Sequence, residues 1–422
     1  MAKKISFAVI GAGSRGFLFA DILSRLPQGA SIVAVAEPRE EYRRAFAARY
    51  GVPAERVFAD WRAFSAKPRM CDAVVIATPD REHVEPAVSC TMLGYHMLLE
   101  KPMAVTLEDC RRIVRAQREA RTITSVCHSL RYNRCFARLK ETIDSGRIGR
   151  VVTIDQLEQV AWWHHAHSFV RGNWAREDRS TFMLLAKSCH DIDYIAYLAG
   201  SDCLRASSFG ALSFFRRENA PADSGDRCVA CARERSCPYS AIRIYVDSSR
   251  DNWPASVVSI DHGREAHMEA IARGPYGRCV WKCDNDAVDH QIVGLQFAGS
   301  ITATFTMTAF TQELGRKIRV HGTEGEIEFS EQEMRIRTFS DRGSERVSLE
   351  GEAGGHGGGD ERVTERFLSA IRESNPRLVL TDVGESLRTH AIVFAAETSR
   401  REGRSVEMED FWKRSPTPRD TG

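Results

Sequence analysis

Ile5–Ile10 is a short apolar run that leads straight into Gly11-Ala12-Gly13-Ser14-Arg15-Gly16, and a helical pattern follows as far as Leu26. A G-x-G-x-x-G triplet constrains a fold strongly when it sits between a strand and a helix. The first glycine then permits a tight turn, the second lets a pyrophosphate approach the backbone, and the third lets helix and sheet pack closely. N–H groups at the helix start, around Ser14 and Arg15, face the phosphates. The chain is therefore expected to open with a doubly wound parallel α/β sheet that binds a dinucleotide.

The following segments carry that expectation forward. A second strand, Ser31–Ala36, ends at Glu37, near the ~20-residue offset of a ribose-binding acid. A carboxylate there accepts hydrogen bonds from ribose hydroxyls and repels a 2′-phosphate, which favours NAD over NADP; Arg39 is the counter-argument. Cys71–Ala77 reads as a strand ending in Thr78-Pro79-Asp80, and a helix from about Glu82 to Leu93 contains His83 and stops at Gly94. Tyr95–Glu100 is the next strand and runs into Lys101-Pro102. A helix over Leu107–Ala120 and a strand over Thr122–Cys127 close a first domain of residues 1–127. Such alternation predicts right-handed crossovers and a ligand site at the strands' carboxyl ends. Thr78, Pro79, His83, Glu100 and Lys101 fall on that rim.

Residues 128–413 read as a second domain. Arg134–Ser145 is a helix closed by Gly146, and Val151–Leu157 returns to strand. Trp162–Trp174 is dense in Trp, His, Arg and Asn. Aromatic faces pack on the C–H faces of sugar rings, while polar groups meet hydroxyls, so this stretch is expected to be a substrate-recognising loop using His165, His167, Arg171, Asn173 and Trp174. Further on, Ser188 and Asp191 fit a capping box that starts a helix running to about Ala199. His190 then lies in its first turn with Asp193 on nearly the same face. A helix N-terminus disfavours imidazolium, which suits a neutral acid/base histidine.

The glycine loop, Ala77-Thr78-Pro79, Glu100-Lys101-Pro102, His128-Ser129-Leu130-Arg131-Tyr132-Asn133, Gly146-Arg147-Ile148-Gly149 and Gly357-Gly358-Gly359-Asp360 resemble the glucose–fructose oxidoreductase/inositol dehydrogenase/MocA family. The resemblance implies a Rossmann domain followed by an α+β domain with a large open sheet used for dimerisation, hence a homodimer or homotetramer. It also implies that Lys101 assists hydride transfer from a sugar or cyclitol hydroxyl, that Arg131 and Tyr132 lie on the substrate side, and that His190 is the active-site histidine. The family often has an aspartate four residues before that histidine. Here the position is Ala186, next to Lys187, so Lys187 is expected to fill part of the role. Lys101 or His190 would take the hydroxyl proton while Lys187 polarises the oxygen, and neighbouring positive charge would depress a lysine pKa. One alternative is a redox glycosidase that recycles NAD through transient oxidation, elimination and re-reduction; another is a nucleotide-sensing protein without catalysis.

Ser208–Ser249 is polar, weakly periodic and not typical of the broad family. It contains Cys228-x-x-Cys231-x5-Cys237-Pro238, with Cys203, Cys279 and Cys283 as candidate fourth ligands. Structural zinc is preferred, with reduced loop thiols and an iron–sulfur cluster as alternatives. The other cysteines are scattered through predicted strands and helices, as expected of small apolar thiols in a reducing cytoplasm.

Strands are expected at Gln291–Phe297 and Ser300–Met307, with a hairpin of Lys317–His321 and Glu326–Phe329. Helices are expected at Glu361–Glu373 and Gly384–Glu402. His356, in a glycine-rich stretch, reads as incidental, and residues 414–422 read as a disordered tail. A net charge of +2 gives no case for nucleic acid or membrane partners. The apolar run after Lys3-Lys4 is too short for a signal peptide, and nothing approaches the ~18–20 residues of a membrane span.

Overall fold

In the computed structural model, β1 (Ile5–Ile10), β2 (Ala30–Ala36), β3 (Val57–Phe58), β4 (Ala73–Ile76), β5 (His96–Leu99) and β6 (Thr124–Val126) form one parallel sheet. Residues 4–26, 29–341, 343–351, 354 and 356–414 are described. The strand order is β3-β2-β1-β4-β5-β6, so the winding reverses between β1 and β4 and opens a crevice at their carboxyl ends. β4 is apolar along its length and β1 from Phe7 onward, because helices cover both faces.

The glycine loop behaves as its spacing predicts. Gly11 turns at φ +91°, and a Cβ there would stand 2.5 Å from the Ala77 carbonyl oxygen. A Cβ on Gly16 would collide with the Gly11 carbonyl, so the helix Ser14–Arg25 can lie against the sheet only with glycine at that position.

The second sheet has nine strands: β7 (Val151–Gln159), β8 (Cys203–Ala211), β9 (His290–Phe297), β10 (Thr302–Thr308), β11 (Gly315–Gly322), β12 (Gly325–Ser330), β13 (Glu333–Thr338), β14 (Ser344–Ser348) and β15 (Val406–Glu407). Their order is β14-β13-β12-β11-β7-β10-β9-β8-β15; β7 and β10 run parallel and the other neighbours antiparallel. β9 alternates exposed and buried at every residue, the mark of a sheet covered on one face. Helices Arg134–Asp144, Cys189–Ala199 and Val383–Glu402 supply that cover through Phe136, Leu139, Ile192, Ile195 and Ile392. The expected hairpin is β11–β12, with Ile318 opposite Phe329 and Val320 opposite Ile327.

Helix Gly359–Arg372 returns to the first sheet. Val363, Phe367 and Leu368 are buried with Phe7, Val9 and Val35, and Phe367 meets Phe7 edge-on at 6.3 Å.

Two local expectations need correction. Ser208–Ala211 completes β8, so the excursion runs over residues 212–289 and contains helices Ala241–Tyr245 and Arg264–Arg273. Trp162–Trp174 is not a loop: Trp162–His165 is α-helical and Ala166–Arg171 continues as a π-helix, with every residue from His165 to Arg171 buried. The excursion packs over this helix, through Phe215, Tyr239 and Trp281 among others, and removes its polar residues from solvent. Arg414 ends the helix Met408–Arg414, and 415–422, where a disordered tail is expected, lie outside the described residues. No helix among the described residues is long and apolar enough to cross a membrane.

Candidate active site

The crevice at the strand ends is floored by backbone. Helix Ser14–Arg25 begins at Gly13 with no side-chain cap, so its first N–H groups remain open to an anion. A Cβ on Gly13 would find just the Arg39 guanidinium within 4 Å, at 3.6 Å, so open space lies above this turn. Glu37 closes one end. Its buried carboxylate accepts from the Ala12 N–H at 2.8 Å and from Arg39 N–H and Nε at 2.9 and 2.7 Å. Burial opposes ionisation, but these hydrogen bonds hold its pKa below the ordinary glutamate value. Gly11, Gly13, Gly16 and Glu37 thus fit a dinucleotide. His83 lies between the carbonyls of Thr78 and Pro102, at 2.9 and 2.7 Å, and pins two rim segments together. Thr78 Oγ1 donates to the Glu82 carbonyl, Pro79 is exposed on the rim, and Ser14 is exposed on the first helical turn.

Arg15 is committed elsewhere. Its Nε donates to Glu100 at 2.5 Å, and its two terminal nitrogens grip Asp360 at 2.8 and 2.9 Å. Asp360 also accepts from Ser129 Oγ and faces His356 Nδ1 at 3.0 Å. Burial works against the charge, but Arg15 and His356 hold Asp360 well below the usual carboxylate range. This network locks the glycine loop, the end of β5 and the start of helix Gly359–Arg372 together.

Lys101 leaves the same junction toward the second sheet. Its backbone N–H donates to Glu100 at 3.0 Å, and its Nζ donates to the Ala186 carbonyl at 2.5 Å. His190 follows on the first turn of helix Cys189–Ala199, is 2% exposed, and has no hydrogen-bond partner at either ring nitrogen. His356 and His128 pack against it, with ring centroids at 5.2 and 5.7 Å. Burial first, then the charge of Lys101, holds His190 well below the ordinary imidazole pKa. Desolvation is thus the largest cause, in place of the helix N-terminus expected from the sequence. The capping box does not form: Ser188 makes no cap bond, and Asp191 turns inward to Arg316 at 2.8 Å and Gln156 at 2.6 Å.

Lys187 pairs with Glu158 at the end of β7, Nζ to Oε1 3.0 Å, and Glu158 also lies 2.9 Å from Arg316. The acid missing at Ala186 is therefore supplied from another element. Burial pushes the Glu158 carboxyl up against the pull of Arg316 and Lys187.

Several expected substrate contacts are structural. Arg131 grips Asp193 through two nitrogens at 2.7 and 2.8 Å and also donates to Glu385 at 2.8 Å. Tyr132 is buried and bonded to Thr381 and the Leu380 N–H. Trp174 donates to Asp80 at 3.0 Å, joining the two sheets' domains. His165 stacks on Phe215, His167 stacks on Tyr276 and faces the Tyr245 hydroxyl at 3.1 Å, and Arg171 is buried among backbone carbonyls and Cys228. Burial lowers His165 to about 4 and His167 to about 3. Asn173 is exposed.

No sequence signal singles out His164, yet it is the histidine of that helix that feels Lys187 and Lys101; burial and then Lys187 hold its pKa well down. Trp253, from the excursion, meets His164 at 4.7 Å and Trp163 at 5.5 Å. His128 and His356, unassigned or read as incidental, belong to the same group. Position offers a signal for His128, since it follows β6 at a carboxyl end. Nothing comparable marks His356 or Trp253.

All twelve cysteines are free thiols. Among the described residues no group of three or more His, Cys, Asp or Glu side chains could hold a metal ion, so the zinc expectation at Cys228, Cys231 and Cys237 finds no support.

Residues 5–128 match the model of an oxidoreductase family with an NAD-binding Rossmann fold, and residues 140–408 match the C-terminal alpha/beta domain of the same family. YteT of Bacillus subtilis (strain 168) is 25% identical over 318 residues, covering 70% of this chain and 71% of that protein. Inositol 2-dehydrogenase 2 of Saccharopolyspora erythraea is 29% identical over 205 residues, 48% of this chain and 56% of the relative, so the match spans about half of that enzyme. The WlbA dehydrogenase from Bordetella pertussis, solved with NADH and UDP-GlcNAcA, superposes with a TM-score of 0.67 over 96% of this chain and 99% of that one, at 18% identity, which is a likeness of fold. With both halves matched and the glycine cradle, Lys101 and His190 gathered at one crevice, the chain belongs to the Gfo/Idh/MocA oxidoreductase family.

Proposed function

We propose that this protein is an NAD-dependent dehydrogenase that moves a hydride between nicotinamide and a carbinol carbon of a sugar, cyclitol or sugar derivative. The observation that carries this reading is the pairing of a Lys101 ammonium with an unpartnered, neutral His190 at the mouth of the dinucleotide crevice. The dinucleotide, when bound, supplies the hydride acceptor.

Lys101 Nζ has N–H donors beyond the one given to Ala186, and these hold a substrate oxygen. His190, kept neutral, accepts the hydroxyl proton at a free ring nitrogen. Lys187, neutralised by Glu158, orients the chain before His190 and is a positioning residue. Trp163 and Trp253 offer aromatic faces for ring C–H groups. Inositol dehydrogenases among the relatives support a polyol substrate. Glu37 supports NAD, because its carboxylate would repel a 2′-phosphate. On the uncovered face of the second sheet, Phe209 and Ile292 are paired in register and 66% and 48% exposed, which supports a second copy of this chain as partner.

The test is a panel of cyclitols, aldoses and glycosides with NAD or NADP, following reduced cofactor and released aglycone together. We expect NADH to accumulate with a polyol, at least about tenfold more efficiently than NADPH. Aglycone release without net NADH would replace the reading with the redox glycosidase.

A further inference from the structure

His190 lacks the partner that a base histidine usually has. Such an imidazole commonly gives its second ring nitrogen to a carboxylate, which fixes the tautomer and balances the charge that arrives with the proton. Both ring nitrogens of His190 are instead buried and unbonded. Burial first, then Lys101, His356, His128 and Arg316, oppose a positive charge on this ring. A proton taken from substrate therefore has no stable resting place on His190. It needs an onward acceptor, and the second unbonded nitrogen offers the way out.

Two imidazoles pack against His190, and they differ. His128 is fully buried, and its other imidazole neighbour, His390, has both nitrogens taken. There Nδ1–H donates to the Ser386 carbonyl at 2.8 Å, and Nε2 accepts the Met103 N–H at 3.0 Å. That side is closed. His356 has its ring centroid 5.2 Å from that of His190, and 33% of its side chain is exposed. Its Nδ1–H donates to Asp360 at 3.0 Å, so the neutral ring keeps Nε2 as an acceptor. Asp360 stays ionised in the grip of Arg15. The carboxylate missing from His190 thus stands one imidazole further along.

The backbone holds His356 in place against its preference. Its φ is +50°, a left-handed conformation that costs a histidine energy and persists where the surroundings impose it. Asn133 helps to fix it, its Nδ2 donating to the His356 and Gly357 carbonyls at 2.8 and 3.1 Å. Gly359 then packs so closely that a Cβ there would stand 2.5 Å from the Ser129 carbonyl oxygen.

We propose that His356 relays the substrate proton from His190 to solvent, with Asp360 balancing its transient charge. The assignment rests on the dehydrogenase reading above. In the oxidative direction the hydroxyl proton bonds to the bare nitrogen of His190 as the hydride leaves the carbinol carbon. The N–H bond on the opposite side of His190 breaks, and its proton bonds to His356 Nε2. His356 then releases a proton to water, Asp360 remains a carboxylate throughout, and a flip of the His190 ring restores the starting tautomer. No direct hydrogen bond joins the two rings, and one bridging water or a ring rotation spans the gap. His356 touches no substrate; it is a positioning residue that acts through His190.

The test is His356→Asn, because asparagine tolerates the left-handed backbone and cannot carry a proton. His356→Gly suits the same backbone, leaves room for a small base, and serves as the second variant. Stopped-flow mixing with NAD and a polyol that the parent oxidises, in weak buffer, follows nicotinamide absorbance and a pH indicator together. Each variant should bind the dinucleotide as the parent does, by fluorescence titration, and release the proton at least about tenfold more slowly. Added imidazole should restore most of that rate in the variants and leave the parent unchanged. Far-ultraviolet circular dichroism shows that the variants fold. Proton release at the parental rate by a folded variant, or a loss that imidazole does not move, would overturn the relay alone. A parent that forms no NADH with any polyol would overturn the dehydrogenase reading and the relay with it.

Discussion

Arg131 and His190 are 4% and 2% exposed at the same domain junction, and both are expected from the sequence to touch substrate. Their surroundings differ. Arg131 has spent its donors on Asp193 and Glu385, and Asp193 in turn takes a bond from Thr389. His190 and His128 leave all four ring nitrogens unbonded, beside a lysine whose remaining donors are free for substrate. Burial of polar groups is common to both; saturation is what separates them. A saturated ion pair ties three elements of the second domain to one another, whereas an unsaturated cluster leaves its donors and acceptors open to a ligand.

The largest effect expected is from the unsaturated group. Lys101→Met should cut kcat/KM by about 10²–10⁴-fold, while dinucleotide affinity by fluorescence titration stays near that of the parent. Turnover comparable to the parent would erase the distinction. On the saturated side, Arg131→Met strands Asp193 without its cation and should cost about 3–5 kcal/mol in urea unfolding; a loss under about 1 kcal/mol would mean the pair is not structural.

His165 tests whether unbonded nitrogens suffice to mark a site, since both of its own are unpartnered. It lies against Phe215 and Phe169, with no lysine among the groups that shift its pKa. An unfolded histidine titrates near 6.5 while burial holds this one at about 4. As pH falls, the unfolded chain therefore takes up the proton first, and stability is lost between those two values. The loss by pH 5 is about 2 kcal/mol, so His165→Phe should shrink the stability difference between about pH 7 and pH 5 by that amount and leave turnover intact. A collapse in activity would show that unbonded nitrogen alone identifies the site. The smallest effect belongs to Trp174→Phe, which removes one hydrogen bond to Asp80 and should lower stability by about 1 kcal/mol.

Periodicity and the glycine triplet made five of the first sheet's six strands legible; β3, only two residues long, carries no periodic signal. β1 and the helix Leu107–Ala120 fall where the pattern puts them, and most other boundaries shift by one or two residues. Lys101 and His190 were legible because each sits beside a local signal, a strand end or a helix start. Partnerships across long sequence separations were not. Arg131 and Asp193 stand 62 residues apart, and nothing local says that one will saturate the other. Likewise His164 and His165 are neighbours with identical chemistry. Which of them faces Lys101 and Lys187 depends on the helical turn there and on the excursion packed over it.

Phe7 lies against Phe367, and that contact has a consequence for how the protein is made. Translation at ~5–20 residues per second leaves roughly 10–50 s between the end of the first six strands and the arrival of the helix that covers one side of them. During that interval the nascent sheet shows an apolar face to the cytosol of whatever cell makes it, close to the ribosome. Vectorial synthesis therefore gives this chain an interval in which a chaperone can reach that face before its own helix does.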